Sequence, residues 1–274
     1  MTLAIAKPTG AKLVLAKPTG AKLVLAKTFS FDPDAIAYIT AVEAADGQTL
    51  ETATRYAINN FVIGCKQDGI WSAIKASCIL AGARTLIGAL VPLVGAAPTN
   101  NNFVSADFNR KTGLIGNGTT KYLNSNRAAN ADPTSNMHLS VYLASIGIAA
   151  RRYVGAFSGY LTADDFLESA GDLRNRSRDT ASNVTLAAGL YGTSRTSSTS
   201  FVVRSDNAFT SGLTDAAVNP GTRSHFIFAQ NDNGSPAFLS NARLPFYSIG
   251  EALDLALLDA RVTTLINAIA AAIP

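Results

Sequence analysis

Between Lys111 and about Phe246 the chain keeps returning to one pattern. Short runs of alternating apolar and polar residues are separated by Gly, Asn, Asp and Ser. A side-chain period of two over four to seven residues suits a strand, and turn residues at such close spacing leave no room for long helices. The pattern therefore predicts a β-sandwich of many short strands. Its clearest unit is Lys111–Arg127, KTGLIGNGTTKYLNSNR. Asn117-Gly118 accepts positive φ at a tight hairpin tip, with Leu114-Ile115 before it and Tyr122-Leu123 after it.

Further strands are expected at Phe103-Val104, Gly113–Ile115, His138–Leu143, Tyr153–Phe157, Leu173–Arg178, Thr185–Tyr191, Ser200–Arg204, His225–Ala229 and Leu244–Ile249. In His138–Leu143, Leu139, Val141 and Leu143 alternate with Ser140 and Tyr142, which predicts one buried face. Asn231-Asp232-Asn233-Gly234 reads as a second hairpin tip. Glu251–Ile273 reads as a closing helix with an apolar stripe of Leu253, Leu257, Leu258, Val262, Leu265, Ile266 and Ile269.

Upstream the periodicity changes. Asp32-Pro33 is a helix start, and Ile36, Ile39, Ala41, Val42 and Ala45 follow at helical spacing up to Asp46-Gly47. A second helix is expected from Thr49 to about Lys66, with Glu51 near its positive end. A third is expected over 68–80, with Trp71 as a core anchor, followed by short strands over 81–97. The domain organisation predicted is a repeat arm over 1–28, a helical packet with short strands over 29–97, and the sandwich with its C-terminal helix over 98–274.

The arm is a repeat in the strict sense. AKPTGAKLVL occurs at Ala6–Leu15 and again, unchanged, at Ala16–Leu25. Lys-Pro-Thr-Gly is a turn, and Leu13-Val14-Leu15 and Leu23-Val24-Leu25 are short strand formers. A lone three-residue strand is unstable in water, so these six residues are assembly candidates, stacking on copies of themselves or on another sheet edge. A flexible basic tail is the plainer alternative. The net charge of +4 belongs to this arm, since its five lysines leave the remainder one charge negative. With lysines widely spaced and no Arg or aromatic, a nucleic-acid partner is not expected.

Composition narrows the function. Charged residues are only 15 %, against about 25 % in an average soluble domain, which suggests burial between subunits. No uninterrupted apolar run predicts a membrane span, and the start lacks signal-peptide order. Cys65 and Cys78 are expected as buried free thiols. There are four glutamates, with no alternating acidic strand of the glycosidase kind. Asp164-Asp165 read as capping a turn or short helix, and His138 and His225 as structural. No metal or other cofactor, and no enzymatic activity, is expected. The candidate ligand contacts are Arg174, Arg176 and Arg178, which strand alternation would place on one face, together with Tyr191 as a stacking group. A solvated face or subunit salt bridges is the plainer reading of the arginines, and packing of the tyrosines.

The order of Gly-Asn-Gly-Thr-Thr-Lys-Tyr-Leu, His-Leu-Ser-Val-Tyr, Phe-Ile-Phe-Ala-Gln and Phe-Tyr-Ser-Ile-Gly before a helix resembles the concanavalin A-like (laminin-G-like) jelly roll of tailed-phage structural proteins. Residues 61–126 are also similar to the stretch that precedes this domain in such proteins. The resemblance covers about residues 30–274 and implies a non-enzymatic virion protein made in a host cytoplasm. It implies a tail fibre or host-recognition appendage, a homotrimer with other virion proteins as partners, and a host surface glycan as ligand. A capsid decoration (cement) protein is the alternative, and a glycan-degrading hydrolase a more distant one.

Overall fold

The structure is a computed structural model, and it describes residues 31–159, 164–169, 172–177, 184, 187–205 and 208–274. The repeat arm, with Leu13, Val14, Leu15, Leu23, Val24 and Leu25, lies outside these residues, as does Arg178.

In chain order, α1 spans Pro33–Asp46, α2 Thr52–Gln67, β1 Ile74–Ile79, α3 Leu86–Ala89, β2 Thr99–Asn101, β3 Phe108–Asn109, β4 Gly113–Ile115 and β5 Tyr122–Ala128. Next come β6 Met137–Leu143, β7 Arg152–Phe157, β8 Asp164–Glu168, β9 Leu173–Ser177, β10 Gly189–Arg195, β11 Ser200–Ser205 and β12 Ala208–Thr214. The chain closes with β13 Ser224–Ile227, β14 Gln230–Asp232, β15 Ser235–Ala237, β16 Arg243–Leu244, β17 Phe246–Gly250 and α4 Leu255–Ala272.

The architecture is mainly β, an antiparallel sandwich with a helical layer on one side. The first sheet runs β1-β17-β6-β10-β11-β12. The second runs β15-β14-β7-β13-β5-β2, with β8 also on β7 and β9 on β8. A small third sheet is β16-β4-β3. One apolar core lies between the two large sheets and holds Leu123, Leu139, Val141, Leu167, Tyr191 and Ile227. A second core lies between the first sheet and α1, α2 and α4, where Val42, Phe61, Leu190, Phe246, Val262 and Ile269 meet.

This second core explains a departure from the expected alternation. The first sheet is covered on both faces, so Ser140 and Ser248, on the supposedly wet side, are buried beneath the helices. Helical cover of the same kind decides residues 68–80. Apart from a 3-10 turn at Trp71–Ala73, this stretch is not a helix but the edge strand β1, in register with β17 from Ile79↔Phe246 to Ile74↔Gly250. Both faces of β1 are buried, so its apolar residues fall at positions that mimic helical spacing. The third helix of the packet is α4, which packs on α2 and β10. By length and composition α4 is apolar enough to cross a membrane; here Leu258, Val262, Leu265 and Ile269 of its stripe are buried, whereas Leu257 is exposed.

The helix starts follow local chemistry. Asp32 caps α1 by accepting the Asp34 N–H at 3.0 Å, Pro33 stands in the first turn, and Gly47 ends the helix at φ 67°. The buried face of α1 is Ala35, Tyr38, Ile39 and Val42, turned from the expected stripe, so Ile36 is 49 % exposed. α2 begins three residues later than expected, and the Glu51 carboxylate takes the Arg110 guanidinium at 2.7 Å instead of capping the helix.

Other expectations are corrected. The Asn117-Gly118 turn forms, with Asn117 Oδ1 accepting the Thr119, Thr120 and Lys121 N–H groups at 3.0, 2.9 and 3.1 Å. It does not close a hairpin: β4 belongs to the third sheet and β5 to the second, so the turn passes the chain between sheets. Phe103-Val104 is not a strand; Phe103 instead packs on Phe228 with ring centroids 5.0 Å apart. Residues 81–97 hold α3 and a single bridge, Ser77↔Val94. The β14–β15 hairpin around Asn233-Gly234 forms as expected. Cys65 and Cys78 are buried free thiols, and burial pushes each up to about 12.

Candidate functional site on the outer face of the second sheet

The outer face of the second sheet is defined by its register. Thr99, Asn124, Phe226, Gly155, Phe166 and Arg174 lie opposite one another across β2, β5, β13, β7, β8 and β9. Directly opposed residues share a face, and their neighbours Leu123, Ile227, Val154, Leu167 and Leu173 all point into the core between the sheets. The row is therefore an aromatic stripe broken by a glycine. A Cβ at Gly155 would stand 3.0 Å from the Phe166 Cβ, 3.3 Å from Asp165 O and 3.4 Å from the Gln230 Cβ, so close packing of the neighbouring strands leaves no room for a side chain there.

The two ends of the stripe are dressed differently. At the β8–β9 end, Arg152 lies 3.5 Å from the Phe166 centroid and 5.1 Å from that of Phe238, and Arg174 lies 5.1 Å from Phe166. These guanidiniums are paired with acids, Arg152 with Glu168 and Arg174 with Asp172 at 3.4 Å. At the β5–β13 end an open groove of about 420 Å³ is lined by Asn124, Asn126, Arg223, Ser224, Phe226 and Asn231. Phe226, only 5 % exposed, lines it and packs on Tyr122 with ring centroids 4.6 Å apart. Asn231 is a prop, donating to Ser224 O and accepting the Gly234 N–H, both at 2.8 Å. Arg223 is exposed and reaches Asn233 Oδ1 only at 3.3 Å. The groove thus offers amides and one cation beside the largely covered Phe226 ring.

The residues singled out in the sequence do not converge here. Arg174 lies on the outer face. Arg176 is fully buried, because its φ of 53° breaks the alternation and turns the side chain inward. Its guanidinium meets Asp165, and its Nη2 donates to Ala129 O at 2.5 Å. Tyr191 is also fully buried, in the core between the sheets. Arg176 and Tyr191 therefore present no surface to a ligand, and the expected face of three arginines is not built.

Asp165, expected to cap a turn or short helix, lies instead on β8, where it accepts the Arg176 N–H. Burial raises its pKa, but the Arg176 charge, His225 and the Arg176 N–H outweigh that, and the carboxyl is held below its usual value. His225 Nε2 stands 3.7 Å from Asp165 Oδ2. His138 bonds Ser248 Oγ at 2.7 Å and the Glu251 carbonyl at 2.5 Å. Burial, partly offset by that carbonyl, pushes His138 down to about 4. The groove residues Asn124, Asn126 and Arg223 escaped notice because each is an ordinary polar residue in sequence; only the pairing of β5 with β13 brings them together.

No protein-family model matches the chain, and no curated protein matches it in sequence. Among solved structures, the K499G mutant of NanB sialidase from Streptococcus pneumoniae aligns at 11 % identity and a TM-score of 0.38, over 53 % of this chain and 26 % of that one. The Ruminococcus gnavus IT-sialidase CBM40 aligns at 13 % identity and a TM-score of 0.31, over 46 % and 80 %. Domain 4 of AbnA, a GH43 extracellular arabinanase from Geobacillus stearothermophilus, aligns at 11 % identity and a TM-score of 0.32, over 63 % and 82 %. The alignment thus spans about a quarter of the NanB chain.

Proposed function

We propose that this chain is a non-enzymatic structural protein of a tailed-phage virion, in a tail fibre or host-recognition appendage, whose sandwich engages a host surface glycan. The observation that carries the glycan reading is the β5–β13 groove. Its amide and guanidinium groups suit sugar hydroxyls. The phage reading rests on the motif order that resembles phage jelly rolls, and the arm is taken to join the protein to its own copies, as a trimer, and to the particle.

Two experiments test this. On an array of host polysaccharides the protein should bind, and Arg223→Ala should weaken binding by about tenfold or more, the value of a charge-assisted hydrogen bond. Binding unchanged in both Arg223→Ala and Asn124→Ala would remove the groove from the account, and release of sugar product would overturn the non-enzymatic reading. Labelling of intact virions should mark the tail. Labelling of the shell alone would favour a cement protein instead.

A further inference from the structure

We propose that the apolar cleft between α1 and β1 is the seat of the chain's own proximal repeat, Leu23-Val24-Leu25. The cleft has a volume of about 570 Å³ and is lined by Ala37, Ala41, Trp71, Ile74, Val91 and Val94. Ala37 and Ala41 lie exposed on the second and third turns of α1, where their small side chains leave a trough. Trp71, the single tryptophan of the chain, is half-buried along its wall.

Three observations select the occupant. The first is reach. The described chain begins at Phe31, two residues before α1, whose Asp34 lines the cleft. Six extended residues back to Leu25 cover about 20 Å at about 3.3 Å each, whereas Ala41 lies only about 13 Å along the helix from Asp32. The second is chemistry, since Leu-Val-Leu needs an apolar partner that a lone strand lacks. The third is charge. Around the cleft, Lys75 is paired with Glu251 at 3.0 Å and Lys66 Nζ bridges Asp32 at 2.7 Å and Asp34 at 2.6 Å, so carboxylates outnumber ammoniums by one. Lys22 and Lys27 flank the tripeptide and complement that surplus.

The inference goes beyond the anchoring role proposed for the arm, because it keeps the nearer repeat on the body and leaves Leu13-Val14-Leu15 to project. Its test does not involve the particle, so the two ideas fail separately. Trp71 reports directly. In the full chain, replacing Leu13, Leu15, Leu23 and Leu25 together by Ser removes both identical units, so neither can stand in for the other. Trp71 emission should then shift red and become more open to acrylamide quenching. Ala41→Arg, which fills the trough without touching the arm, should do the same. A synthetic AKLVLAK peptide should restore the emission of the arm variant but not of Ala41→Arg. Emission and quenching unchanged in both variants would overturn the proposal. So would protection of Trp71 that disappears on dilution, since that would make the occupant a neighbour's arm.

Discussion

Arg176 shows how one backbone angle redirects a side chain. At a φ of 53° it leaves the outer face and pairs with Asp165 at no exposure. Desolvating two charges is costly, and the pair is tolerable because Arg176 also donates to Ala129 O and Asp132 O, while Asp165 accepts the Arg176 N–H at 2.7 Å. Asp165→Ala, which strands the guanidinium, should lower unfolding free energy by about 3–5 kcal/mol in urea denaturation. The double change Asp165→Leu with Arg176→Met should cost much less, since no buried charge is left alone. The Asp165 contribution is present above its unfolded value near 3.8 and is lost as the pH falls below it. His138 acts in a higher window. Its folded pKa is about 4 against 6.5 when unfolded, so below pH 6.5 the unfolded chain takes the proton first. Stability should therefore fall between pH 6.5 and 4, by up to about 3 kcal/mol, and His138→Asn should flatten that slope.

At the scale of elements, the helix starts were legible because their signals are local: Asp32-Pro33 and Gly47 act within a few residues of themselves. A strand that alternates in burial, such as Ser200–Ser205, was legible too. β1 was not, because its pairing with β17 joins residues some 170 positions apart and no local signal records that. β8 and β12 were also missed. The seam between α4 and β10 depends on Gly192, where a Cβ would stand 2.9 Å from Leu255 Cδ2, 3.0 Å from Leu139 O and 3.1 Å from Ser140 Cβ. Backbone and packed side chains close the site on several sides, so Gly192→Val should lower stability by about 1–3 kcal/mol through overpacking, read from the denaturation midpoint. Gly69→Ala is a useful contrast, because nothing lies within 4 Å there and only its positive φ of 73° is strained.

Across the whole molecule the first sheet is shared. Its inner face seals the core between the sheets, and its outer face seals the core beneath α1, α2 and α4. β1 carries Ala76 and Cys78 of the helical stretch into the core between the sheets, while Leu190, Phe246 and α4 from the later chain complete the core beneath the helices, so each core joins early and late residues. Unfolding should accordingly be one cooperative transition: Trp71 fluorescence, near α1, and far-ultraviolet circular dichroism of the strands should give the same midpoint. An earlier Trp71 transition would show that residues 29–97 melt apart from the sandwich. What the sequence determined by itself was whatever depends on neighbours: strand-rich class, helix starts, turn positions and the repeat. What the tertiary structure decided was which strands are dry on both sides, which arginine is buried, and which scattered amides share a groove. Those outcomes depend on contacts across a hundred or more residues, and burial, unlike a turn or a cap, is a property that no single stretch of chain possesses alone.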